Sequence, residues 1–338
     1  MACSSPPPAS ESVSDSVGTL SIPNEVPEIR TVSMRLQWIP QYQFAGYIVA
    51  KVKGYYEEAG LDVTINIGSP DFVPLPLVAS GADTFGSTGA DTILLARTRG
   101  IDVVALATLF QTSPVGFMVH SDAGIQTPQD FVGKHVAVSY GDNVETEYRA
   151  LLAATDVNRE QINEVPFQVN LAPFLNRRVD VWPVYITDQP NLARQQGATV
   201  DLILARDYGV MLMGDVLFTT ADFAQQNPNT TRAFVTATLR GWHDALTDVE
   251  GTVAIVADYN PQLHIEHLRY EATETIKLIQ SGAGATCPGW NDDTAWNSEQ
   301  DILIELGLLE QPVPLQEAIK HDFVAAYYES QGISCTEQ

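Results

Sequence analysis

Six aromatic side chains and five amides gather in segments that follow short apolar runs. They are Trp38, Tyr42, Phe44, Tyr140, Trp182 and Tyr185, with Gln37, Gln41, Gln43, Gln111 and Asn143. Aromatic faces stack on flat rings. Amides both donate and accept, so they can read the carbonyls and N–H groups of a heterocycle. The same segments carry no Lys or Arg, although an anionic ligand calls for positive charge or converging donors. The helix expected near Asn143 offers free N–H groups, but Glu145 and Glu147 in its first turn offset its positive end. This chemistry recognises a flat, uncharged or cationic molecule.

Each candidate also has a plainer role. Phe44 shares one helix face with Tyr47 and Ile48, so core packing competes with ligand contact. Ser87 and Thr88 add hydroxyls to the set, yet they are also placed to cap a helix starting near residue 91. Asp188 adds a carboxylate and is placed to cap a turn before Pro190. Trp182 and Tyr185 lie in a strand, and both are expected near the cleft.

Other chemistries are poorly served. There is no nucleophile elbow, triad spacing or glycine-rich phosphate loop. His264-x-Glu266-His267 is not the His-Glu-x-x-His pattern of a zinc protease and reads as a solvated helix face. The cysteines are Cys3, Cys287 and Cys335, with no Cys-x-x-Cys. No catalytic residue, metal or cofactor is expected.

The elements that must position these residues alternate between strand and helix. Strands are expected near residues 32–36, 61–67, 84–86 and 103–107, with helices between them. The pattern restarts with strands near 115–119, 135–139, 165–169, 179–184 and 202–205, and a strand at 216–219 returns to the first unit. From about residue 222 the chain is mostly helical. This is an α/β protein with two lobes: residues 31–115 plus 213–338, and an inserted lobe over 116–212. The two crossings, near 112–116 and 210–215, form a hinge, with Gly116, Gly209 and Gly214 at or near it. Ligands of open α/β sheets bind beyond the carboxyl ends of the strands, where the aromatic and amide segments fall.

The net charge of −24 repels a phosphate backbone, so no nucleic-acid partner is expected. No apolar run is long enough to span a bilayer. Ala2-Cys3 looks like the end of a lipoprotein signal, which makes Cys3 the lipidation site. Residues 4–30 are rich in Ser, Pro and Glu without periodicity and read as a disordered tether. Outside the cytoplasm disulfides persist, and a Cys287–Cys335 bridge is expected.

The segment Leu36-Gln37-Trp38-Ile39-Pro40-Gln41-Tyr42-Gln43-Phe44-Ala45-Gly46-Tyr47, then Gly54-Tyr55-Tyr56 and Gly60-Leu61-Asp62-Val63, resembles solute-binding proteins for thiamine-pyrimidine precursors and their relatives. Gly133-Lys134-His135-Val136-Ala137-Val138 and Val179-Asp180-Val181-Trp182-Pro183-Val184-Tyr185 fit more loosely. The branch most similar is the one with riboflavin-binding lipoproteins. The resemblance covers roughly residues 31–330. It implies a periplasmic-binding-protein-like fold and an extracytoplasmic, membrane-anchored receptor of an ABC importer. Such a receptor, expected as a monomer, captures riboflavin and passes it to a permease subunit. The alternatives are a thiamine-pyrimidine precursor as ligand, or an enzyme acting on a pyrimidine. The fungal enzymes of this family carry a Cys-rich motif that this chain lacks.

Overall fold

The computed structural model describes residues 26–335 together with Met1. Alternation sets the first strand: in β1 (Thr31–Arg35) Val32 and Met34 turn inward and their neighbours outward. The strands that follow are β2 (Asp62–Asn66), β3 (Phe85–Gly89), β4 (Val103–Thr108), β5 (Val115–His120), β6 (His135–Val138), β7 (Asn163–Pro166), β8 (Val181–Tyr185), β9 (Val200–Ile203) and β10 (Asp215–Thr220). They form two five-stranded sheets, ordered β2-β1-β3-β10-β4 and β7-β6-β8-β5-β9.

In the first sheet β1 runs parallel to β2 and β3, and β10 runs antiparallel between β3 and β4. The chain therefore leaves this sheet after β4, builds the whole second sheet, and returns to the gap beside β4. β3 and β4 are buried at every residue, as strands covered on both faces must be.

The two crossings between the sheets are bonded to each other. Leu109 N donates to Asp215 O at 2.8 Å, Gly214 N to Phe110 O at 2.9 Å, and Ser113 N to Leu212 O at 2.8 Å. Their close approach requires Gly214, where a Cβ would lie 2.6 Å from Pro114 Cδ. Two buried carboxyls brace the crossings: Glu147 accepts from the Ser113 hydroxyl, and Glu299 from Met213 N at 2.7 Å.

The helix Pro228–Thr247 supports the first sheet and packs on the helix Ala45–Val52. The contact is tight because Gly46 lies under Trp242, whose ring would be 2.3 Å from a Cβ there. Phe85 and Phe234 stack at 4.0 Å beside it. Cys287 and Cys335 are bonded, and Trp290 packs in the same core as Cys287. Trp296 Nε1 donates to Thr108 Oγ1 at 3.2 Å, tying the helix Asp293–Glu305 to β4.

The body begins before residue 31, which corrects the expected tether boundary. The Glu28 carboxylate accepts from Asn229 N at 3.1 Å and Thr230 N at 2.8 Å. These are free donors of the first turn of the helix Pro228–Thr247, and their bonds help hold the carboxyl below its ordinary range. Cys3 and the expected tether up to residue 25 lie outside the described residues. Among the described residues, no helix is long and apolar enough to cross a membrane.

Candidate functional site

A cavity of about 390 Å3 opens between the two sheets. The first lobe contributes the segment after β1, the segment 69–76 and the end of β3. The second contributes residues 139–144, Phe167 and the end of β8 with the turn after it. These are segments at the carboxyl ends of strands, where α/β sheets place ligands. Nine expected residues meet there: Gln37, Trp38, Gln41, Gln43, Thr88, Tyr140, Asn143, Tyr185 and Asp188.

Five others do not line it. Phe44 is fully buried in the core of the first lobe, the role its helix spacing competes for. Tyr42 is also buried there, and its hydroxyl donates to Ala245 O at 2.6 Å. Ser87 points into the packed side of β3, while its neighbour Thr88 lines the cavity. Gln111 spends its amide on Thr108 O at 2.7 Å and Trp290 O at 2.9 Å, fastening the C-terminal region. Trp182 is buried against Phe167 and Phe174. A strand alternates faces, so Trp182 and Tyr185, three residues apart, stand on opposite sides. Pro183 and Tyr185 share the cavity side.

The floor is a hydrogen-bonded polar chain. Gln37 Nε2 donates to Tyr185 Oη at 2.8 Å and to Asp215 Oδ1 at 2.7 Å. Gln43 Nε2 donates to Asp215 Oδ2 at 2.7 Å, and Gln41 Nε2 to Gln43 Oε1 at 3.1 Å. From the second lobe, Asn143 Nδ2 reaches the same Tyr185 oxygen at 2.9 Å. Asp215 sits where β10 starts, and burial pushes its carboxyl up to about 7 against the two amide donors.

The helix Asn143–Ala154 ends at the cavity, but its N-terminus is already served. Asp142 accepts from Val144 N at 3.0 Å and Glu145 N at 3.1 Å, and Glu145 accepts from Gly141 N at 2.8 Å. No Lys or Arg appears among the lining residues. The walls are apolar, with Val73, Leu75 and Val144, prolines 70, 74, 76 and 183, and the rings of Trp38, Tyr140 and Phe167. Tyr140 stands at the rim, 54% exposed, its hydroxyl on Glu164.

Phe167, Pro74 and Pro76 escaped the sequence reading. Pro183 was accessible through the strand's alternation; Phe167 follows an irregular strand end and carries no periodic signal. The His264-x-Glu266-His267 segment also corrects an expectation. His267 is buried, with Nε2 3.0 Å from Asp188 Oδ1 and 3.0 Å from Glu271 Oε1. The helix Ile265–Ile279 turns this face toward the second lobe, where Tyr270 also donates to Ile186 O at 2.8 Å.

A family described as NMT1/THI5 like matches residues 41–251, more than half of the chain. The chain belongs to the NMT1/THI5-like family. A riboflavin-binding protein of Chloroflexus aurantiacus, RibY, is 28% identical over 336 residues, which covers 96% of this chain and 93% of that one. A formylaminopyrimidine-binding protein of Halalkalibacterium halodurans is 23% identical over 295 residues, 86% of this chain and 89% of that one. The periplasmic nitrate-binding protein NrtA of Synechocystis superposes with a TM-score of 0.67 at 15% identity, over 91% of this chain and 90% of that one. This NMT1/THI5-like chain thus has the two-lobed fold of periplasmic binding proteins.

Proposed function

We propose that this protein is the solute receptor of an ABC importer and that its ligand is riboflavin. One observation carries the choice of ligand class: the cavity combines ring-bearing and proline walls with an amide and hydroxyl floor, and has no basic residue in its lining. Nitrate or a sulfonate would enter such a site without a counter-charge and would face Asp142 and Asp188. A flat heterocycle stacks between the walls, its polar edge meeting the floor. The cavity exceeds what a single pyrimidine ring needs and leaves room for a polyol tail along Ser69, Ser139 and Thr92. The similarity to the Chloroflexus riboflavin-binding protein supports the same reading. The receptor role, with a permease as its partner, a lipid at Cys3 and an extracytoplasmic location, belongs to this proposal.

The reading contains no catalysis. Cys287 is held in a disulfide. Isothermal titration calorimetry against riboflavin, formylaminopyrimidine, nitrate and an alkanesulfonate tests the assignment. Riboflavin is expected to bind one to one and the two anions not at all. Binding of nitrate or the sulfonate in place of riboflavin would overturn it.

A further inference from the structure

We propose that Asp188, His267 and Glu271 form a binding site for a divalent cation of the zinc class, set between the two lobes beside the cavity. The three ligating atoms lie within 4.8 Å of one another, and all three residues are buried. His267 and Glu271 are four residues apart on the helix Ile265–Ile279 and so share one face. Asp188 comes from the other lobe, at the turn after β8.

Two features distinguish this cluster from a simple ion pair. His267 Nε2 is 3.0 Å from a carboxylate oxygen of each partner, yet a ring nitrogen carries one hydrogen at most. The hydrogen bond goes to Asp188, and Glu271 Oε1 stays buried with no hydrogen-bond partner. A cation placed among the three atoms satisfies all of them at once. Ligands about 2.0–2.2 Å from zinc stand roughly 2.8–3.6 Å from each other at angles of 90–110°, a range that contains the two observed separations.

The second feature is that each ligand is held by its far side. Gln189 Nε2 donates to Asp188 Oδ2 at 2.6 Å, Tyr42 N to Glu271 Oε2 at 2.8 Å, and Asn191 lies 2.9 Å from His267 Nδ1. With a metal on Nε2 the ring hydrogen sits on Nδ1 and is accepted by the amide oxygen of Asn191, whose O and N are interchangeable by a flip. Outer bonds of this kind orient metal ligands and leave their inner atoms converging. One neutral imidazole and two carboxylates supply a charge that balances a divalent ion, and a mixed N,O set suits zinc. Asp188 lines the cavity, which gives the ion a route in and leaves a coordination position facing it. The bound ion would tie the second lobe to the helix Ile265–Ile279, whichever molecule fills the cavity.

The test is calorimetric titration of zinc chloride into the chelator-stripped full chain, with Cys3→Ser to remove the N-terminal thiol. One equivalent of zinc is expected to bind, and cobalt in its place is expected to show visible d–d bands without thiolate charge transfer. Glu271→Gln keeps the acceptor for Tyr42 N and is expected to weaken zinc binding by at least about tenfold. Asp188→Asn serves as a second variant should the first fail to fold, each checked by circular dichroism. No zinc uptake by the parent chain, or wild-type affinity in a folded variant, would overturn the site.

Discussion

Gln37 of the first lobe hydrogen-bonds Tyr185 of the second at 2.8 Å, across the floor of the cavity. The same amide nitrogen also bonds Asp215 on the returning strand. One side chain therefore links both walls to the hinge, and the contact exists only while the lobes are together. A ligand that touches both walls adds to this link and favours the closed arrangement by its differential affinity.

Tyr185→Phe tests that link. The variant keeps the ring but removes the oxygen that accepts from Gln37 and Asn143. Gln37 retains Asp215, whereas the Asn143 amide loses its partner, at a cost of about 1–3 kcal/mol. The ligand-free melting temperature should fall, and riboflavin should bind more weakly. Differential scanning fluorimetry with and without riboflavin measures both; an unchanged variant would show that the floor carries no coupling.

The aromatic residues separate by the face they occupy. Trp38→Ala, Tyr140→Ala and Phe167→Ala open the cavity wall and should weaken riboflavin binding, the strongest by one to several kcal/mol. Trp182→Ala removes a buried ring packed on Phe167 and Phe174. It should cost roughly 3–5 kcal/mol of folding stability. Urea denaturation and calorimetry on the four variants distinguish the two roles. A stable Trp182 variant with lost binding would reverse the assignment.

Stability should decline as the medium turns from mildly acidic to mildly alkaline. Burial pushes the Glu147 carboxyl up to about 8 and that of Asp215 to about 7. Between the ordinary carboxyl range and those values, the folded state holds protons that the unfolded state has released. Their contribution is present in full near pH 4 and is lost as pH rises through about 7 to 8. Burial pushes the carboxyls of Glu271, Asp91 and Glu299 up as well, so they add to the same decline. Glu147→Gln should flatten the profile by about 1 kcal/mol or more across it. Denaturant midpoints measured at intervals from pH 5 to 9 provide the check, and an identical slope in the variant would contradict the burial argument.

Much of the fold was legible because period-2 and period-3.6 patterns report burial directly. The order of strands and helices and the return of β10 followed from them, while the Cys287–Cys335 bridge was expected from the extracytoplasmic setting. Site residues were legible where a loop leaves a strand, as with Gln37, Trp38 and Asn143. The misplacements have a common cause, since residue type alone does not tell a cavity-facing side chain from a packed one. Tyr42 and Gln111 have the right chemistry but satisfy it on backbone carbonyls of their own lobe. Trp182 was excluded by the strand's own alternation against Tyr185. His267 was hidden for another reason: its partner Asp188 lies 79 residues away, and only the packing of the two lobes brings them together.

The central claim is that the ring-walled cavity, with no basic residue in its lining, takes a flavin. Titrating the protein into riboflavin while following flavin fluorescence tests it directly, because stacking on Trp38 or Tyr140 quenches the emission. The account predicts saturable quenching at one equivalent, much reduced in Trp38→Ala. Unquenched emission at protein concentrations that bind formylaminopyrimidine tightly would contradict it.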